Sequence, residues 1–225
     1  MDLRLERKYI IDNFLANDFL SLLKFSSLCF NEIFHQRTVN NIYFDDGNDS
    51  FVQDNIEGYG TRTKVRLRWY GEDGFKNTNQ NLFLELKKRT NEMNYKHIFK
   101  VSKFNKTKQN IFSFSKTLTE DNKNFPQVDL INLIPIIQNS YKRRYFLSRS
   151  GNIRVTQDTN LIFSSPLSTD FSDRLLSKNI FEIKYRPKDE DEATILMKEL
   201  PYLVQKCSKY VIGRKILTGD HDYTL

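Results

Sequence analysis

Cysteine is scarce in this chain: two residues in 225, Cys29 and Cys207, with no CxxC spacing. A disulfide framework and a cysteine zinc site are thereby excluded, a reducing compartment is favoured, and both thiols read as small buried hydrophobes. No stretch approaches ~18 uninterrupted apolar residues. "MDLRLERKYIID" places charges where a secretory leader needs an apolar centre, so the chain is expected to be cytoplasmic, any membrane association coming through a separate membrane-protein partner. His35, His97 and His221 lack metal-ligand spacing such as HExxH. A glycine-rich phosphate loop is also missing, so a bound triphosphate would have to be held by side chains rather than by a helix N-terminus.

What is present is enough apolar material for a core and an excess of positive charge. Hydrophobic residues make up 39% and aromatics 13%, and 35 Lys and Arg stand against 28 Asp and Glu, a formal net charge of +7. The excess implies an anionic partner without naming it. Short alternating segments recur, among them "LRLERKYII", "NNIYFDD", "TKVRLRWYG", "LFLELKKR", "KHIFKVSK", "YKRRYFLS", "NIRVTQDTNLIF" and "NIFEIKYR", with "DDGNDS" and "GEDGFKNTNQN" supplying turn chemistry. Helical periodicity is expected over 13–26, where Asp12 or Asn13 would cap and Phe14, Leu15, Phe19, Leu22 and Leu23 form the apolar stripe. "QVDLINLIPIIQN" and "DEATILMKELPYLVQK" are further helix candidates that Pro135 and Pro201 should kink or shorten. The Lys- and Asn-rich stretch 103–125 reads as a solvated excursion. One α+β domain over 1–225 accounts for this pattern.

The faces of these strands agree with one another. Because side chains alternate, Lys64, Arg66 and Arg68 share one face of "TKVRLRWYG" and Val65, Leu67 and Trp69 the other. Arg4, Glu6 and Lys8 share a face of the first strand; Glu85, Lys87 and Arg89 do so in "LFLELKKR"; Glu182, Lys184 and Arg186 do so in "FEIKYR". Tyr141, Arg143 and Tyr145 fall together in "YKRRYF", although Arg144 on the opposite side blurs that case. Any one strand could be the wet side of a half-buried sheet. Four strands with the same scheme suggest instead an antiparallel β tunnel or barrel with a basic interior, flanked by helices such as 13–26. Enclosed cations need an anion, and a carboxylate facing a phosphate needs a divalent metal between them, which makes Glu182, Glu6 and Glu85 candidate ligands of Mn²⁺ or Mg²⁺ and Lys184 a candidate phosphate contact.

The motifs "ERKYII", "NNIYFDD", "RLRWYG", "FLELKKR", "SYKRRYF", "IRVTQDTNL", "FEIKYR" and "SKYVIG", in this order, resemble the VTC domain, the polyphosphate polymerase module of the vacuolar transporter chaperone family within the triphosphate tunnel metalloenzyme superfamily. The resemblance implies a basic β tunnel that binds ATP and a growing polyphosphate chain with a divalent metal. It implies that Lys209, Arg66, Arg68 and Lys8 act at the transferred phosphate, that Lys87, Lys100, Tyr141, Arg143, Arg154 and Ser208 hold the substrate, and that Glu182 binds the metal. One departure stands out: the superfamily's ExExK opening has Arg4 in place of its first glutamate, leaving Glu6 and Lys8, which resembles the polymerase branch more than the tripolyphosphatase and cyclase branches. Two other readings stay open. One is a tripolyphosphatase or nucleoside triphosphatase with the same tunnel. The other is a non-catalytic polyanion or nucleic-acid binder, disfavoured because Trp69 falls opposite Arg66 and Arg68, where core packing is its expected role.

Overall fold

The computed structural model describes residues 4–72, 81–90, 93–101, 132–166 and 173–219. Nine strands form one antiparallel sheet, β1 (Leu5–Asp12), β2 (Asn31–Asp45), β3 (Thr61–Tyr70), β4 (Leu82–Thr90), β5 (Met93–Val101), β6 (Ile134–Leu147), β7 (Arg154–Ser164), β8 (Arg174–Leu176) and β9 (Lys178–Tyr185). Their order is β1-β9-β7-β6-β2-β3-β4-β5, with β8 on β7. Four helices accompany them among the described residues: α1 (Ala16–Phe25), α2 (Ser50–Glu57), α3 (Glu190–Glu199) and α4 (Lys209–Thr218). The 103–125 excursion lies outside the described residues.

The sheet is rolled without being closed by hydrogen bonds, since the described ladders end at β1 on one side and β5 on the other. Residues 205–208 bridge the gap. Gln205 N donates to the carbonyl of Lys8 on β1 (2.8 Å), Lys8 Nζ donates to the carbonyl of Cys207 (3.1 Å), and Lys64 Nζ on β3 donates to Ser208 Oγ (2.9 Å). Strands far apart in the ladder thus meet at one short segment.

Alternation sorts the side chains. Outward, Tyr9 and Ile11 of β1, Val155 of β7 and Phe181, Ile183 and Tyr185 of β9 pack under Phe19 and Leu23 of α1 and Ala193 and Leu196 of α3. A second outer cluster joins Ile42 and Phe44 of β2 to Val65, Leu67 and Trp69 of β3 and Leu82, Leu84 and Leu86 of β4. Trp69 is fully buried there, as its place opposite the arginines predicted. Inward, one part of the sheet is apolar and lies against α4, where Tyr210 and Ile212 meet Ile10, Val39, Tyr43, Ile137 and Ile180. Asn160, at φ 51°, makes this possible on β7: the register slips between Ser140 and Lys142 of β6, and beyond the slip Leu161 and Phe163 join the inner cluster.

Three expectations need correction. The 13–26 helix begins with a 3-10 turn at Asn13–Leu15, and neither Asp12 nor Asn13 caps it through its side chain; Phe14, on that turn, is 78% exposed, while Phe19 and Leu23 carry the stripe. Residues 134–139 are strand rather than helix. Pro135 is tolerated there because it sits at the end of β6, before the pairing with β7 starts at Gln138, and beside a register slip against β2. Finally, α2 follows "DDGND", a segment that carried only a turn signal. Asp45 Oδ1 and Oδ2 accept from Phe51 N and Val52 N, and Asp46 Oδ1 from Ser50 N, so two carboxylates satisfy the first turn of a short helix.

Helix α4 is pressed onto the sheet at Gly213, where an added Cβ would lie 2.5 Å from Phe163 Cδ1 and 3.0 Å from Ile137 Cγ2. Gly213→Ala gains up to about 1 kcal/mol of helix propensity and meets an overpacking cost of about 1–3 kcal/mol. A lower thermal unfolding midpoint than wild type is expected in a melt followed by circular dichroism; an unchanged or higher midpoint would show that α4 can lift off the sheet freely.

Candidate functional site

The remainder of the inner face is charged, and four of its carboxylates are each tied to at least two cations. Asp158 of β7, 0% exposed, accepts from Nε and Nη2 of Arg143 across the β6 pair (2.5 and 2.6 Å) and lies 2.5 Å from Lys209 Nζ at the start of α4. Glu85 of β4 accepts from Nε and Nη2 of Arg66 (2.9 and 2.5 Å), with Arg68 at 3.8 Å and Lys96 at 3.6 Å. Glu182 of β9 lies 3.0 Å from Lys184 and 3.4 Å from Lys8; Glu6 lies 3.2 Å from Lys184 and 3.7 Å from Lys8. The cross-strand register Glu6↔Lys184 and Lys8↔Glu182 builds this last square. Neutral groups fix the arginines further. Arg68 donates to Asn41 Oδ1 (2.7 Å) and Tyr141 OH (3.3 Å), and Arg66 donates to Tyr43 OH (3.3 Å).

The electrostatics follow from this packing. Burial alone would raise the carboxyls, but Arg66 and Arg68 outweigh it and bring Glu85 down to about 2, while Lys184 and Lys8 hold Glu182 well below the usual range and Arg143 and Lys209 lower Asp158 from its ordinary value. Conversely, loss of hydration would depress Lys8 and Lys209, yet Glu182 and Glu6 keep the first above its ordinary value and Asp158 the second. Lys64 goes the other way, as Lys87 does. Burial, then repulsion from Lys8 and Lys87, pushes it down to about 7, and its described hydrogen-bond partner is the hydroxyl of Ser208.

A model of the VTC domain matches residues 3–218. The chain belongs to the VTC domain family. Among solved structures this VTC domain is similar to a Hippeastrum protein proposed to be an adenylyl cyclase, which has a dominant triphosphatase activity: 13% identity, TM-score 0.56, covering 95% of this chain and 96% of that one. Proteins proposed to be adenylate cyclases from Vibrio parahaemolyticus (14% identity, TM-score 0.46, 88% and 84% covered) and Bacillus halodurans (15%, 0.46, 88% and 87%) are similar as well. No curated protein matches the sequence. The fold is that of the triphosphate tunnel superfamily.

Of the residues expected in the VTC tunnel, Lys8, Arg66, Arg68, Tyr141, Arg143, Glu182, Lys184, Ser208 and Lys209 meet in the contacts above. Lys87 is paired in register with Lys64 and, despite its exposure, is pushed down to about 8 by lost hydration and Arg66, against the pull of Glu6. Arg154 and Lys100 occupy inner positions by register, opposite Lys184 and Phe83, and are exposed. The three glutamates are not gathered in one place: Glu6 and Glu182 share Lys8 and Lys184, whereas Glu85 is held by Arg66, and among the described residues no three His, Cys, Asp or Glu stand close enough to hold a metal by themselves. Two carboxylates on adjacent strands fit a divalent ion that takes its remaining ligands from phosphate oxygens and water. Sequence reasoning left out Asp158 and Lys96. An acid bonded to two site cations leaves no trace in strand alternation beyond its parity, and Lys96 stood in a segment with no motif. Among the described helices, none is long and apolar enough to cross a membrane.

Asp158→Asn leaves Arg143 and Lys209 buried without their counter-charge, and a loss of about 3–5 kcal/mol in unfolding free energy is expected by denaturant titration; a loss under about 1 kcal/mol would mean that the triad does not bind α4 to the sheet. Lys64 gives a pH prediction. Its depressed value marks it as largely neutral at pH 8, and a bound polyanion would restore its charge, so binding takes up a proton and weakens as pH rises from about 7. Calorimetry of tripolyphosphate at pH 8 in buffers of different ionisation enthalpy should show an uptake that Lys64→Gln reduces; the same uptake in both proteins would remove Lys64 from the binding surface.

Proposed function

We propose that this VTC domain is a metal-dependent polyphosphate polymerase that transfers the γ-phosphate of ATP to the end of a polyphosphate chain. The observation that carries the reading is the inner face itself, where basic side chains outnumber the carboxylates and Glu6, Glu85, Glu182 and Asp158 each already serve two or more cations. Such a lining suits a string of phosphates.

Phosphoryl transfer asks the protein mainly to align the reactants and to stabilise charge. Arg66, Arg68 and Arg143, held rigidly by Glu85, Asn41 and Asp158, would present guanidinium N–H groups to phosphate oxygens, with Arg154 doing so from its exposed position. Lys8 and Lys209, kept charged by their carboxylates, would lie beside the transferred group, with Lys87, Lys184, Lys100, Tyr141 and Ser208 around the rest of the substrate. A terminal oxygen of the chain attacks the γ-phosphorus, the bond from that phosphorus to the β–γ bridging oxygen breaks, and ADP departs. Mn²⁺ or Mg²⁺ held by Glu182 and Glu6 would neutralise charge on the phosphates when bound. Water competes with the chain end for the same phosphorus, and the triphosphatase activity of the Hippeastrum protein favours hydrolysis as the second reading. Against it, Glu85 and Asp158 are occupied by guanidinium groups and are poorly placed to activate water.

Incubation of the pure protein with ATP and Mn²⁺ should yield ADP and a phosphate polymer in step, and Lys209→Ala or Arg66→Ala should lower the rate about 10²-fold or more. Free phosphate in place of polymer would assign the domain to hydrolysis. Neither product from folded protein would overturn both readings.

A further inference from the structure

Arg37 was not among the residues the motifs point to, yet the fold brings it to the inner face. It lies on β2 directly across from Arg143 of β6. Its guanidinium carbon sits over three rings, 5.1 Å from the centroid of Tyr145, 5.2 Å from Phe34 and 5.7 Å from Tyr70. Its Nε is buried with no hydrogen-bond partner, and among the described residues no carboxylate pairs with it. Glu72, which follows β3, accepts from the hydroxyl of Thr38, the next residue on β2 and on the opposite face from Arg37 (2.5 Å). Arg143 has Asp158; among the described residues Arg37 has aromatic faces.

This arrangement is unlike the rest of the lining. Two arginines directly opposed across a ladder repel one another, and ring faces stabilise a cation without neutralising it or satisfying its N–H groups. The rings instead restrain a long side chain, so that little rotamer freedom is left to lose when an anion arrives. The ligand that suits a restrained guanidinium fork beside a second arginine is a tetrahedral oxyanion with several acceptor oxygens.

We propose that Arg37, restrained by Phe34, Tyr70 and Tyr145, is an outlying phosphate subsite, occupied by a polyphosphate chain long enough to run past Arg143. The inference rests on the polyphosphate reading above. Arg37 grips the chain away from the transferred phosphate, so it discriminates by length: tripolyphosphate is held by the central cations alone, whereas a long chain gains the additional contact.

The test is equilibrium binding of tripolyphosphate and of long-chain polyphosphate to wild type, Arg37→Gln and Arg37→Lys, each first shown by thermal melt to be folded. Arg37→Gln should weaken long-chain binding about tenfold, leave tripolyphosphate within about twofold, and lower the dependence of long-chain affinity on salt by roughly one counterion, by analogy with loss of a phosphate contact. Arg37→Lys should fall between wild type and Arg37→Gln for the long chain, because it keeps a point charge and loses the fork. Equal loss for both ligands, or no loss for either, would overturn the subsite while leaving the polyphosphate reading intact. Wild type that binds neither ligand would overturn that reading and the subsite with it.

Discussion

The fully buried carboxylate of Asp158, shared between Arg143 and Lys209, is the contact on which the interior depends. Arg143 comes from β6, Asp158 from β7 and Lys209 from the first turn of α4, so one anion fixes a strand pair and a helix to each other. Without it two cations would sit dehydrated and in mutual repulsion, and the start of α4 would have reason to leave the sheet. The same helix is capped by Ser208, which meets Lys64, and follows Cys207, whose carbonyl meets Lys8. The bridge that spans the open side of the sheet is therefore continuous with the charged lining.

If the interior is the polyanion site proposed above, its carboxylates solve a problem that such a site always has. Enough cations to hold several phosphates will repel one another when the phosphates are absent, and burial worsens the repulsion by removing water. Here Glu85, Asp158, Glu182 and Glu6 each take two or more cations, which keeps those groups charged and their side chains oriented. The compensation is incomplete. Lys64 sheds its proton readily and Arg37 rests on aromatic rings, which are the two other ways a chain can tolerate a cation without an acid. On the proposed reading, an incoming phosphate chain would find oriented donors, with little reorganisation left to perform.

The outer faces do the opposite work. Leu67 and Trp69 alternate with Arg66 and Arg68 along β3, so the residues that anchor the strand in an apolar cluster also aim the arginines inward. A one-residue slip of β3 would turn its arginines into the core and Trp69 into the lining, which is why register is strongly specified here. Where the register does slip, at Asn160 on β7, the change of side serves the apolar seat of α4.

Alternation along β1, β3, β4 and β9 was legible in the sequence, and with it the inward placement of Lys8, Arg66, Arg68, Lys87, Glu182 and Lys184, because side-chain parity is a local property of an extended chain. Phe19 and Leu23 of α1 were legible for the same reason at helical spacing. Other features were not local. Residues 134–139 form strand although apolar periodicity and Pro135 suggested an interrupted helix, since pairing with β2 outweighs propensity. The start of α2 depends on Asp45 and Asp46 folding back on their own chain. The partition of Glu85 to Arg66, Glu182 to Lys8 and Lys184, and Asp158 to Arg143 and Lys209 required strands distant in sequence to meet. The sequence by itself settled which side chains share a face, because that needs only the period of a strand; the tertiary structure alone decided which cation each carboxylate neutralises and which cations are left to an anion, because those depend on how the sheet rolls.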